Sequence, residues 1–450
     1  MTSSAYTLTK SEKVSIRRSF GKYVSQNILA MIGISCYVLV DTFFIAQAVG
    51  SEGITILNIC LPVYNFIAAL GSMIGVGSAI EFAVRKAEGH EDKDLYFYNA
   101  IWFCLIVGFI TMFLGLFASK NILYIMGADE SLATGGIVYM RTFMFFGPTL
   151  VVNYAINAFV RNDGEPTLAM MSTVAGSIFN IVFDYIFMYP MHMGMFGAAL
   201  ATAFSPFVEI AICSIHFFKP TNNIRFLWKR LSFSRLFSAC KVGVSSFIGE
   251  FAVGITTTIF NYMILRLTGH VGVAAYGIIA NLSLVFVAIF NGISNGNQPL
   301  ISTAFGYGKK EEYHYLLRLG LEIALLISVI SYIIVIVCSE GIISMFNSDG
   351  SVLLHDYAKM GLVIYFFGCI FAGLNTVIAS YFSARREAAP ALIISLARGV
   401  VLIGLFAVLL GFMFGMNGVW ASYPVAEGVT LIIAISFLII NTRKDIKGKE

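Results

Sequence analysis

The stretch FKPTNNIRFLWKRLSFSR (218–235) carries Lys219, Arg225, Lys229, Arg230 and Arg235 and lies almost midway along a chain of 450 residues. Its mix of cations, aromatic rings and aliphatic side chains suits a linker with an amphipathic piece lying at a membrane surface. The flanking sequence decides the fold. The chain is 58% hydrophobic and only 12% charged, with a mean hydropathy of +0.83, a composition that excludes a water-soluble globular protein. Apolar runs of about 18 residues or more, enough helix to cross a hydrocarbon core roughly 30 Å thick, recur from Val24 to Ile440. Alternating barrel strands are absent, so the crossings are helices.

Breaks at polar and Gly/Pro/Asn/Asp clusters place about twelve helices near 24–47, 53–84, 95–118, 133–159, 166–189, 195–218, 236–266, 271–305, 312–338, 353–382, 389–413 and 418–440. Six precede the linker and six come after it. The expected organisation is residues 1–217 as a first lobe with its N-terminal tail, 218–235 as linker, and 236–450 as a second lobe with its C-terminal tail. Ala46-Gln-Ala48 resembles a signal-peptide cleavage site, but the apolar run before it is too long for a signal core, carries Asp41 and leads into further spans.

Basic residues sort by side. One side takes Lys10, Lys13, Arg17, Arg18 and Lys22, then Arg85 and Lys86, Arg161, the linker cations, Lys309 and Lys310, Arg385 and Arg386, and Arg443, Lys444, Lys447 and Lys449. Alternate loops such as 49–53, 188–194 and 339–350 contain neither Lys nor Arg. The positive-inside bias then puts both termini in the cytoplasm and requires an even number of crossings. The net charge of +4 is a product of this allocation and gives no reason to expect a nucleic-acid partner.

Short repeats relate the halves. Gly-Met-Phe-Gly at 194–197 recurs as Gly-Met-Asn-Gly at 415–418, Gly89 before a charged run matches Gly308, and Pro166 and Pro390 both come after charged turns. Six crossings return the chain to its starting side, so the expected fold is all-α, two six-helix bundles in parallel repeat about an axis along the membrane normal, with a cavity between them.

Charges inside the spans carry the functional signal, because an acid facing lipid at mid-bilayer costs roughly 2.5–3.5 kcal/mol on insertion scales. Asp41 lies one turn after Tyr37 on the first span, and Asp184 one turn after Asn180 on the fifth. Both aspartates sit about six residues, or roughly 9 Å, before the outer ends of their helices. Thr202 and Tyr139 fall in the same layer, and Asn157 lies nearer the cytoplasm. Two carboxylates, an amide and hydroxyls suit a hard cation such as Na⁺, and a proton equally. Glu250 and Arg398 sit mid-span in the second half, where they form either a buried pair joining spans seven and eleven or, with Glu250 turned to the cavity, a substrate or proton site. Glu209 and Glu427 have no assignable face. The run FNGISNGNQP (290–299) needs protein or water around it, for packing or for gating.

Neither HExxH nor GxxxxGK[ST] is present, which removes the zinc-protease and P-loop ATPase motifs. The seven cysteines lie in apolar spans without a CxxC pair and read as buried free thiols.

VDTFFIAQAVG (40–50), GSMIGVGSAIEFAVRKAEG (71–89), FVRNDGEP (159–166), NIVFDYIF (180–187), GMFGAALAT (194–202) and GMNGVWASYP (415–424), in this order, resemble the multidrug and toxic compound extrusion (MATE) transporters, especially their prokaryotic multidrug exporters. The resemblance covers nearly the whole chain. It implies two six-helix bundles around a V-shaped cavity and export of amphipathic, often cationic compounds by antiport with Na⁺ or H⁺, without a cofactor, by a monomer in the cell membrane. It carries the family's first-lobe cation site onto Asp41, Asn180, Asp184 and Thr202, and its seventh-span acid onto Glu250. The tenth span lacks the aspartate that some members carry, leaving no second ion site there. A flippase for lipid-linked oligosaccharide or peptidoglycan precursors is the alternative of similar architecture, and would favour a more basic cavity.

Overall fold

The structure, a computed structural model, describes residues 8–128, 130–227, 229–346 and 351–447. The end of the 339–350 loop and Lys449 of the basic tail therefore lie outside the described residues. Within them, ten helices are long and apolar enough to cross a membrane. An eleventh crossing is the pair Thr134–Phe145 and Gly147–Asn162, bent by 48° just before Pro148. A twelfth comes from Ala388–Asn441, whose 54 residues would reach about 80 Å as one helix and cannot fit a single bilayer crossing. The chain folds back at Gly415, where φ is +60°, and Gly418 packs against the carbonyl of Leu410. The result is the all-α, twelve-helix, two-bundle architecture that the span count predicts.

The turns show why the halves match. Left-handed backbone occurs at Gly50, Gly89, Gly164 and Gly194 in the first half, and at Gly269, Gly308, Arg386 and Gly415 in the second. The order and near-equal spacing are those of one helical hairpin pattern used twice. Glycine takes this conformation without steric cost. Arg386 with φ +61°, held by ion pairs, and His192 with φ +53° are the non-glycine cases, and His192 and Gly127 have no described counterpart in the second half.

Each bundle has its own apolar core, one running from Ile45 to Ala239 and one from Phe260 to Ala434. The first span links them, because Phe20 and Val24 insert into the second bundle's core. At the end carrying the basic loops the bundles close tightly. A methyl group at Gly77 would collide with the Ala239 carbonyl, and one at Gly243 with that of Met73. Gly296 lies against Tyr23 and Val24, and Gly292 against Ile28, so the asparagine-rich run is packed inside protein. Asn297 donates to the Leu316 carbonyl at 3.0 Å, and Asn162 and Gln298 exchange amide hydrogen bonds of 3.1 and 3.3 Å between the bundles.

Ion pairs finish this closure. Arg386 reaches Glu81 at 2.9 Å and Glu88 at 3.1 Å. Asp163 receives Lys86 Nζ at 2.5 Å, His216 Nε2 at 2.8 Å and the Asn223 backbone N–H at 2.7 Å. Burial pushes the Asp163 carboxyl up, but these bonds outweigh it and hold the carboxyl below the usual range. The opposite end is not free of cations, contrary to a strict reading of the loops. Lys120 and Arg266 stack on Tyr124 and Tyr262, and Lys359 pairs with Glu340 at 2.5 Å. Nor are all the thiols buried, since Cys36 and Cys338 are exposed.

Gly77→Val is expected to force the second and seventh spans apart. Pulsed EPR between spin labels at positions 90 and 309, on basic-end turns of the two bundles, should then report a longer distance. An unchanged distribution would contradict the closure.

Candidate functional site

The first and fifth spans bring their aspartates together. Asp41 is 7% exposed and Asp184 fully buried, and their carboxyls stand close together. One oxygen of each, Oδ1, is buried with no hydrogen-bond donor. Asn180, one turn before Asp184, has its amide between Asp184 and Thr202: assigned by its neighbours' hydrogen-bonding needs, its Nδ2 donates to Asp184 Oδ2 at 3.0 Å and its Oδ1 accepts from the Thr202 backbone N–H at 3.2 Å. The i, i+4 spacing puts the two side chains on one helix face, and the sixth span meets that face. Tyr139 is buried near both aspartates, with its ring edge-on to Phe143 at 5.7 Å.

Two carboxylates close together away from water repel strongly unless a positive charge joins them. The pocket can therefore take up one proton, shared between the acids, or one hard cation with Asp41, Asp184, the Asn180 carbonyl and the Thr202 hydroxyl as oxygen donors. Among the described residues no three His, Cys, Asp or Glu side chains converge on a metal-sized site. Any cation here would thus lean on neutral oxygens as well as on the pair.

Tyr37 does not join the aspartates directly. It lies beside Tyr64 and, with Tyr154, near Glu209. Glu209 accepts from Asn153 Nδ2 at 3.0 Å. Sequence reasoning passed over Tyr64, Asn153 and Tyr154 and left Glu209 without a face. One signal was available: Asn153, Asn157 and Arg161 repeat at i, i+4 and mark a polar stripe on the fourth span. Asn157 itself is placed elsewhere than in the aspartate layer. Its amide is committed to the Ala169 carbonyl, Ser172 and Thr173, clasping the fourth span to the fifth.

Of the two arrangements open to Glu250, the pair with Arg398 does not form. Arg398 binds Glu427 at 3.0 Å, donates to Thr376 Oγ1 at 2.7 Å and reaches the Ala372 carbonyl, while Asn375 Nδ2 donates to the same glutamate at 2.7 Å. Glu427 lies on the twelfth span, and its helical face could not be read without the tertiary packing. A π-helical turn at Ala397–Val401 contains Arg398. Such turns insert one residue into the helix and rotate the side chains beyond it. Glu250 is instead exposed and faces Tyr64 and Tyr154 of the first bundle. Nearby, Phe66 meets Phe247 and Phe251 edge-on between the bundles.

Two membrane-spanning bundles closed at one end, with buried acids and a polar face between them, have the form of a membrane transporter. The chain belongs to the MatE family of membrane transporters, whose model matches residues 27–186 and 246–413. It is 24% identical to the multidrug export protein MepA of Staphylococcus saprophyticus, over 89% of this chain and 88% of that protein. MepA of Staphylococcus aureus strain MRSA252 is likewise 24% identical, over 89% and 88%. Among solved structures, an outward-facing multidrug resistance MATE transporter of the MOP superfamily superposes with a TM-score of 0.89 at 22% identity, covering 99% of this chain and 100% of that one. A mutant of the Vibrio cholerae MATE transporter VcmN superposes with a TM-score of 0.89 at 17% identity, covering 97% and 99%. At such identities the structures share the fold.

Arg398→Met strands the buried Glu427 carboxylate and is expected to destabilise the protein by about 3–5 kcal/mol. Adding Glu427→Gln removes the stranded charge and should recover most of that loss. Thermal unfolding of the single and double variants in detergent checks this, and equal melting temperatures would show that the pair carries no coupling.

Proposed function

We propose that this protein exports amphipathic, often cationic compounds across the cell membrane in exchange for inward Na⁺ or H⁺, acting as a monomer with both termini in the cytoplasm. The observation that carries this reading is the closeness of the Asp41 and Asp184 carboxyls in a buried pocket. A site that requires one added positive charge to be stable is a site whose occupancy tracks an ion gradient.

With the basic loops in the cytoplasm, closure at that end makes the present arrangement outward-facing. The ion enters from outside and joins the aspartates, with Asn180, Thr202 and Tyr139 completing the pocket. Its charge removes the repulsion between the first and fifth spans. The two lobes, residues 1–217 and 236–450, then rock about the linker, the basic-end contacts part, and the ion is released inward. The emptied pocket restores the negative charge that favours a cationic drug. An ion drives this cycle only through its different affinity for the two states. Glu250, exposed on the seventh span opposite Tyr64 and Tyr154, fits a place on the drug's path. The membrane cation Arg398 is held by Glu427 and is not free to meet the pyrophosphate of a lipid-linked precursor.

The test is efflux of a fluorescent organic cation from proteoliposomes under separately imposed Na⁺ and pH gradients. Asp41→Asn and Asp184→Asn should each lower gradient-driven efflux by roughly tenfold or more. The gradient that still drives the wild type identifies the ion. Full efflux by both variants would sink the proposal.

A further inference from the structure

The two lobes build the same polar contact and complete it differently. Asn153 and Asn375 stand the same number of residues before the left-handed turns at Gly164 and Arg386. Each donates its Nδ2 to a glutamate Oε2 from the last span of its lobe, Asn153 to Glu209 at 3.0 Å and Asn375 to Glu427 at 2.7 Å. The glutamates are one turn apart in register, measured from Gly194 and Gly415. That shift keeps them on the same helix face.

The third member of the arrangement differs. Gly176 and Arg398 lie the same number of residues beyond the N-caps Glu165 and Glu387. In the second lobe Arg398 places its guanidinium on Glu427, with Nε and Nη2 on Oε1 at 3.1 and 3.0 Å. In the first lobe there is no side chain at that position. Glu209 leans over the bare glycine, so that a Cβ on Gly176 would stand 2.7 Å from Oε1, the oxygen that Asn153 does not use. Among the described residues no Lys, Arg or His pairs with Glu209. A carboxylate at this depth without a counter-charge is costly, and the repeat shows which kind of group satisfies the same Asn–Glu contact.

Glu209 is also reachable. It is half-buried, as are Tyr37, Tyr64 and Tyr154 around it, and tyrosine faces attract a planar cation. We propose that Glu209 and Asn153 form a receptor for an amidinium or guanidinium group on an exported compound, which fills the first-lobe position that Arg398 fills in the second. The inference rests on the export of organic cations proposed above and names one head-group class for it. The group donates N–H bonds to Glu209 Oε1 while its plane lies against the tyrosines. A quaternary cation can use the charge but has no N–H to give.

The test uses the full-length protein in nanodiscs without any gradient, with two probes: DAPI, a fluorescent bis-amidine, and tetraphenylphosphonium, which has no N–H. Glu209→Gln keeps the hydrogen bond from Asn153 and should weaken DAPI binding by roughly tenfold or more while changing tetraphenylphosphonium binding by less than about threefold. Gly176→Arg supplies a resident guanidinium and should likewise exclude DAPI. It reads the same site if the glutamine variant fails to fold, with melting temperature and size-exclusion profile reporting folding. DAPI affinity unchanged in the folded variants, or equal loss of both probes, overturns the receptor. A wild type that binds neither probe overturns the organic-cation reading instead, and this inference with it.

Discussion

Hydrocarbon offers a peptide group no hydrogen bond, so each stretch of this chain inside the membrane must satisfy its own backbone as helix, and the turns between helices are where the fold is set. Those turns recur. Left-handed residues appear in matching order in the two halves, and each directs one helix back along its neighbour. A repeated set of turns yields two similar bundles whose helices run the same way. Everything polar in the interior is then located by which helix faces those turns bring together.

Similar backbones have been given different interiors. The first bundle keeps two aspartates together with no Lys, Arg or His beside them among the described residues, and a glutamate held by one asparagine. The second bundle neutralises its buried glutamate with Arg398 and secures both with Asn375 and Thr376. An internally satisfied ion pair rigidifies, whereas carboxylates short of positive charge invite ions or ligands.

The contact between the bundles has the character of a surface that can separate. At the basic end it relies on glycines that allow backbones to approach, on reciprocal amide bonds between Asn162 and Gln298, and on the pairs made by Arg386 with Glu81 and Glu88. Partly exposed ion pairs contribute little net stability in water, and amides readily exchange partners with it. The two large apolar cores lie mostly within the bundles, crossed by Phe20 and Val24, by Ala239 and by a small cluster of Ile80, Val84 and Val242. Two firm bodies meeting through a polar, small-residue seam can change their relative angle without unfolding either core.

The sequence by itself determined the helical class, the number of crossings and the parallel repeat, and it singled out Asp41 and Asp184, which the structure brings together. Local physics suffices for these: hydropathy over a span's length, the distribution of Lys and Arg, and the cost of an acid in lipid. It also contained Asn180 and Thr202 at a common depth with Asp41. Only the tertiary structure decided partners. Arg398 went to Glu427 and not to Glu250, Asn157 turned to Ser172 and Thr173, and Tyr37 joined Tyr64 near Glu209. Depth is a property of one helix and can be counted along the chain, whereas azimuth depends on how the bundle packs and, at Arg398, on a π-helical turn that shifts the phase of every residue after it.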